Sequence, residues 1–241
     1  MLLLILTTLL QTHSKLPEWF FESPPNTISV VVNDSYYDES RMKSLEKEAN
    51  RLLQIQAAEL ELYGYEALEK GNSSKQFDKF ELVYRLNGMN PERDMLKEMG
   101  YVLLDHQRIN ERKYVVGLFG KEGTSFNDKR IDVPEKPDWL KTNVQNKTVA
   151  SGFALNNYYM MSNWISAFKH ALFNLAGSNN TYIYKNQNQQ TNSNDDRTSK
   201  SYYNVQLHFV EAVVHGARVT NRWIDPSDGS CHIRIKTGDD R

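Results

Sequence analysis

The sequence predicts an α+β protein made of two similar modules, each a long helix packed on a small antiparallel sheet. Three observations carry that expectation. A Pro-acid-Trp segment followed by a bulky apolar residue occurs twice, as Leu16-Pro17-Glu18-Trp19-Phe20 and as Lys136-Pro137-Asp138-Trp139-Leu140. Behind each copy, apolar residues recur at helical spacing. Each copy then closes on two strand-like runs near a glycine.

The elements follow in order. Thr27 to Val32 (TISVVV) is β-branched and reads as a strand, with Thr148 to Leu155 (TVASGFAL) as its weaker counterpart. In the second copy Met160, Trp164, Ala167, Phe168, Ala171, Leu172 and Leu175 form one helical stripe, and Gly177 supplies a stop. In the first copy Met42, Leu45, Ala49, Leu52, Gln56, Leu60 and Tyr63 trace a similar face on a longer helix; Leu52 and Leu53 correspond to Leu172 and Phe173. Strands are expected over Phe80 to Leu86, Thr181 to Lys185 and Tyr202 to Leu207. Asn186 to Lys200 has no apolar residue to bury and reads as a mobile hairpin tip. Short helices are expected near Pro91 and near His208. The closing strand pairs are Gly100 to Gln107 with Lys113 to Phe119, and Gly216 to Trp223 with Ser230 to Lys236.

This divides the chain into a leader over 1–14, a first module over 15–120, a linker over 121–135, a second module over 136–237 and a polar tail over 238–241. The leader, MLLLILTTLL and the four residues after it, is too short to span a bilayer. It has the apolar core of a secretory signal, with Thr12 and Ser14 as small residues before a cut at Lys15. No lipobox cysteine stands at that cut, so lipid anchoring is not expected.

Composition sets further limits. The 241 residues carry 29 Lys plus Arg against 30 Asp plus Glu, and a balance this even disfavours a nucleic-acid platform. Hydrophobic residues at 39% supply a core, so general disorder is excluded. The single cysteine, Cys231, rules out an intrachain disulfide framework and a cysteine-based zinc site.

The last forty residues carry a family resemblance. Gly216 to Gly229 (GARVTNRWIDPSDG) followed by Cys231-His232-Ile233-Arg234-Ile235 resembles the closing hairpin of the LPP-twenty family of bacterial envelope lipoproteins. That family also opens with a Pro-x-Trp segment and passes through a small-residue strand into a long helix. Lys136 to Trp139, Ser151-Gly152-Phe153-Ala154 and Arg222 to Gly229 match in that order. The first copy keeps Pro17 to Trp19 and Pro24-Pro25, but its closing hairpin lacks the Trp and Asp. The resemblance implies an envelope location and a structural or assembly role, and it brings no catalytic residues. Within the hairpin, Asp225-Pro226-Ser227-Asp228-Gly229 is a turn by composition, and Trp223 is expected on the sheet face or between the copies.

Catalytic constellations are hard to find. His208, Glu211 and His215 share one face if their segment is helical, which suits zinc, but Phe209, Ala212 and Val213 opposite them make this the solvent face of an amphipathic helix. Cys231 and His232 are strand neighbours and point to opposite faces, so no thiolate–imidazole pair is expected. No nucleophile elbow, zincin, P-loop or dinucleotide motif occurs. The expectation is therefore an exported, non-enzymatic protein of the periplasm or outer membrane, without cofactor, metal or transmembrane span. It would bind envelope proteins or copies of itself through sheet edges and hairpin tips. The alternative is a module holding a small ligand or glycan between the copies, with Tyr36, Tyr37, Tyr158 and Tyr159 as stacking platforms.

Overall fold

The computed structural model describes residues 15–71, 77–109, 113–142, 146–156, 159–179, 181–194 and 197–237. The leader, the polar tail and Tyr158 lie outside them. The chain opens with a two-residue strand β1 (Leu16–Pro17) and a single helical turn α1 (Glu18–Phe21) that buries Trp19, Phe20 and Phe21. Then follow β2 (Thr27–Asn33), buried at six of seven positions, and α2 (Asp38–Ala57). Asp38 and Glu39 in the first turn of α2 face the positive end of its dipole. A hairpin follows, β3 (Glu59–Gly71) with β4 (Phe77–Asn87), then the short α3 (Met95–Met99). Asp94 caps α3 by accepting from Lys97 N at 3.1 Å. β5 (Tyr101–Ile109) and β6 (Tyr114–Lys121) close this half.

The second half begins with β7 (Arg130–Ile131), which pairs with β1, and the turn of helix α4 (Asp138–Lys141). It continues through β8 (Val149–Ala154), α5 (Met160–Asn179), a hairpin of β9 (Thr181–Asn194) and β10 (Arg197–His215), and then β11 (Arg218–Ile224) and β12 (Cys231–Lys236). Strand, helix, hairpin and closing pair thus occur twice. The strand orders match as well: β2-β6-β5 in one small sheet and β8-β12-β11 in the other.

The expected fold class is overturned. The chain is mostly β, its strands covering about twice as many residues as its helices, and three of the five helices have only four or five residues. It does not divide into two layers of one helix on one small sheet. The two hairpins join into a single four-stranded antiparallel sheet, β4-β3-β10-β9, which neither half completes alone. Three misread segments account for the extra strand. The stripe ending in Leu60 and Tyr63 leaves the helix at Ala57, because Leu60 and Leu62 are buried while Glu59 and Glu61 are not: a period of two. The expected short helix at His208 is strand, with Val210, Ala212 and Val214 buried in alternation. The polar run from Asn186 also lies in strands, since a ladder needs backbone groups and not apolar side chains.

One core runs through both halves. Leu45, Leu53 and Ile55 of α2 share a cluster with Ala167, Leu172 and Leu175 of α5 and with Leu60, Leu82 and Val214 of the four-stranded sheet. A second cluster joins Trp19, Phe20 and Tyr114 to Trp164, Ile224 and Cys231. Between them lies a buried cation. Arg222 of β11 donates to both the hydroxyl and, at 2.7 Å, the carbonyl of Ser29 in β2. Its guanidinium carbon sits 5.8 Å from the Phe20 ring centroid and 5.9 Å from that of Trp164. Burial pushes its pKa down to about 10, so it remains charged at neutral pH.

A second buried ion cluster fixes the start of α2. Asp34 receives Arg41 Nε at 2.8 Å and Arg108 Nη2 at 2.7 Å, tying β2, α2 and β5 together. Burial alone would raise the pKa of Asp34, but hydrogen bonds and charge from Arg108 and Arg41 outweigh it and hold the carboxyl below its ordinary value.

Two substitutions test this packing. A Cβ on Gly152 would stand 2.2 Å from both Ala167 O and Ala171 N, so Gly152→Ala must push β8 off α5. The expected cost is about 3 kcal/mol in urea denaturation, at the upper end for an overpacked core. Arg222→Met, which keeps the volume and removes the buried charge, is expected to retain most of the stability. Arg222→Ala is expected to lose about 3 kcal/mol in the same measurement, because it opens a cavity beside Phe20 and Trp164.

Candidate interaction surface

The ladder of the four-stranded sheet sorts its side chains into two faces, since directly opposed residues point the same way. Toward the helices lie the rows Leu82–Gly64–Val210, Tyr84–Leu62–Ala212 and Leu86–Leu60–Val214. Phe80 on this side meets Phe173 edge-on at 5.3 Å and stacks on His170 at 3.8 Å between ring centroids, both from α5. The outward rows are Glu81–Tyr65–Phe209, Val83–Tyr63–Glu211 and Arg85–Glu61–Val213. Tyr63, Val83, Phe209 and Val213 are exposed by 43%, 51%, 42% and 55%. Four large apolar residues this open, adjacent on one face, form a patch of the kind that marks a binding surface.

The patch has shape as well as chemistry. A cavity of about 400 Å³ lies over it, lined by Tyr63, Tyr65, Val83 and Phe209 with Glu81 and Glu211 at its sides. Tyr65 and Phe209 are 6.4 Å apart between centroids, tilted by 39°. Below, Asn87 donates to Glu61 at 2.7 Å, and His215 Nδ1 lies 3.7 Å from Glu59. The surface is therefore aromatic in the middle and carboxylate-rich at its border, with Arg85 as a basic side chain in its outward rows. It offers phenol, ring faces and carboxylates to a partner.

The residues singled out from sequence fall elsewhere. Tyr36 and Tyr37 stand before α2, exposed by 79% and 69%, edge-to-face with each other at 5.3 Å. Tyr159, just before α5, is also exposed. These three do not line the cavity on the sheet. Trp223 is buried, donates from Nε1 to Pro134 O at 2.9 Å and lies 5.4 Å from the His232 ring. Asp225 accepts from Ser227 N at 2.8 Å and from the Ser227 hydroxyl at 2.5 Å, and those bonds hold its carboxyl below the ordinary range. Gly229 closes the same turn at φ 74°, its N–H donating to Asp225 O at 2.8 Å. The triplet His208, Glu211, His215 comes apart, because on a strand position 208 faces the helices beside Glu66 while 211 and 215 face outward. Among the described residues no three His, Cys, Asp or Glu side chains gather around a common point. The Cys231 thiol is buried and pushed up to about 12, and its sulfur lies 3.4 Å from Met160 Sδ.

The outward patch was missed because Tyr63 read as part of a helical stripe, and Phe209 and Val213 as the apolar side of a second helix. The signal that finds it is the alternation of Glu59 and Glu61 with Leu60 and Leu62. No family model, no curated protein and no solved structure matches this chain.

Two histidines near the sheets set a pH dependence. Burial lowers the pKa of His170 below its ordinary 6.5. Burial also lowers that of His232, with Lys136 acting the same way and Asp225 and Asp228 opposing. In the unfolded chain both titrate at about 6.5, so below that pH the unfolded state binds more protons than the folded one. Their contribution to stability is complete above about pH 6.5 and is lost as the pH falls toward the folded values. The melting temperature is expected to drop between neutral pH and about pH 5.5, and His170→Phe to flatten that drop.

Proposed function

We propose that this chain is an exported, non-enzymatic component of the bacterial cell envelope with a structural or assembly role, binding protein partners through its four-stranded sheet. The observation that carries the binding role is the outward patch of Tyr63, Val83, Phe209 and Val213, an aromatic and aliphatic centre bordered by Glu59, Glu61, Glu81 and Glu211. Interfaces of this anatomy place aromatic anchors at the middle and charges at the rim. The partner it fits presents an apolar ridge flanked by Lys or Arg. Export is supported by the apolar run Met1 to Leu10 and by the resemblance of Lys136 to Ile235 to the LPP-twenty envelope proteins. Among the described residues no helix is long and apolar enough to cross a membrane. The second reading, a small-ligand or glycan site, draws on the exposed Tyr36–Tyr37 pair.

A crosslinked pull-down from fractionated cells tests the proposal, with mass spectrometry also reading the N-terminus. Stoichiometric envelope partners are expected, and a start near Lys15. A Tyr63→Ser, Phe209→Ser double variant is expected to lose them at least tenfold while melting close to the parent, since both side chains are half in solvent. Recovery only from the cytosol overturns the proposal. An exported protein that comes down alone moves the assignment to the ligand-binding reading.

A further inference from the structure

The four-stranded sheet ends on two strands that have no neighbour among the described residues. In the order β4-β3-β10-β9 the free edges are β4 on one side and β9 on the other. They are long, 11 and 14 residues, and neither ladder contains a bulge. Neither strand contains proline. Natural edges are ordinarily blunted by shortness, proline, bulges or charged side chains, lysine above all. Here β9 carries one charge, Lys185, and β4 carries Asp78, Lys79, Glu81 and Arg85, which balance to zero and so do not repel a strand that is almost uncharged. From Asn186 to Asn194 every residue of β9 is Asn, Gln, Thr or Ser, a composition that stacks side-chain amides along paired strands.

The topology says which edge each one fits. Each hairpin has a first strand, β3 or β9, and a second strand, β4 or β10. The joint inside the molecule pairs the first strand of one hairpin with the second strand of the other: β3 against β10, antiparallel, over thirteen unbroken positions. The free edges are the remaining first strand and the remaining second strand. A second copy placed in the same sense sets its β4 against β9 and repeats, between molecules, the joint already made within one. Because the two edges differ, the contact is heterologous, and it leaves a free β4 and a free β9 at the ends of every assembly that has not closed on itself.

We propose that copies of this chain add head to tail, β9 of one pairing antiparallel with β4 of the next, to build a continuous sheet that closes into a ring or extends as a filament. This deepens the assembly role proposed above and rests on it, with a second copy as the partner of the edges. The pairing leaves the outward patch of each copy aligned with that of its neighbour along one face.

The test uses the purified full chain in analytical ultracentrifugation and negative-stain microscopy. Blocking variants place proline at either of two neighbouring positions, since only one of each two carries the N–H that points away from the adjoining strand. For β4 these are Asp78→Pro and Lys79→Pro; for β9 they are Gln187→Pro and Asn188→Pro, and the member of each pair with parental circular dichroism is used. The parent is expected to sediment as species that grow with concentration and to form rings or fibres. Each blocked variant alone is expected to remain monomeric, and a mixture of a β4 variant with a β9 variant to stop at dimers, a twofold rise in mass. A mixture of ¹⁴N and ¹⁵N protein treated with an amine crosslinker is expected to give intermolecular Lys79–Lys185 links. A parent that stays monomeric overturns the inference, as does a variant that still dimerises alone, or crosslinks from residues 1–14 onto β4 or β9 of the same chain. A monomeric parent that nevertheless retains envelope partners in cells overturns self-assembly and leaves the broader assembly role standing.

Discussion

The ladder between β3 and β10 is the interaction on which the rest of this structure depends. It joins residues 59–71 to residues 203–215, so its strands come from opposite halves of the chain, and it has no break in register. A two-stranded hairpin alone is marginal in water; two hairpins side by side give four strands with a face to bury. That face is Leu60, Leu62, Leu82, Val210, Ala212 and Val214, and what buries it is the α2 and α5 core shared by both halves. A slip of one residue would turn these side chains outward and bring Glu59, Glu61 and Glu211 into the core, which is why the register is fixed.

The same alternation that fixes the register leaves the opposite face without a covering layer among the described residues. β10, at about 3.3 Å per residue, is about 60 Å long, while α5 spans only about 30 Å. Among the described residues the helices back one side of the sheet, and Tyr63, Val83, Phe209 and Val213 are exposed on the other. Away from this sheet, the halves are held by the bonds of Arg222 and by the apolar cluster around Trp19, Phe20 and Trp164. Arg222 reaches from β11 to Ser29 in β2 beside the rings of Phe20 and Trp164, while within the first half Asp34 gathers Arg41 and Arg108. The Arg222 bonds join strands distant in sequence, one from each small sheet.

Parts of this were legible beforehand. The β-branched run at Thr27 marks β2, and the stripe from Met160 to Leu175 lies within α5, because both are local patterns read from consecutive residues. The turn from Asp225 to Gly229 was equally readable, since its bonds are made within five residues. His208 to His215 was not. Its spacing fits a helix about as well as a strand, and the arbiter is the partner strand 140 or more residues earlier in the chain. The polar run from Asn186 failed for a related reason: composition reports what a segment can bury, and a ladder needs only its backbone.

By itself, then, the sequence determined the strand at Thr27, the stripe within α5, the turn chemistry from Asp225 to Gly229 and the absence of familiar catalytic motifs. Each of these depends on neighbours within a few residues, so one chain read in order contains it. Only the tertiary structure decided that the chain is mostly β, that the two hairpins merge into one sheet, and that this sheet presents an aromatic face and two unlike edges. Those features arise from backbone hydrogen bonds between residues far apart in sequence, and a backbone N–H or C=O has the same chemistry at nearly every residue, so the letters alone do not say which strand it meets.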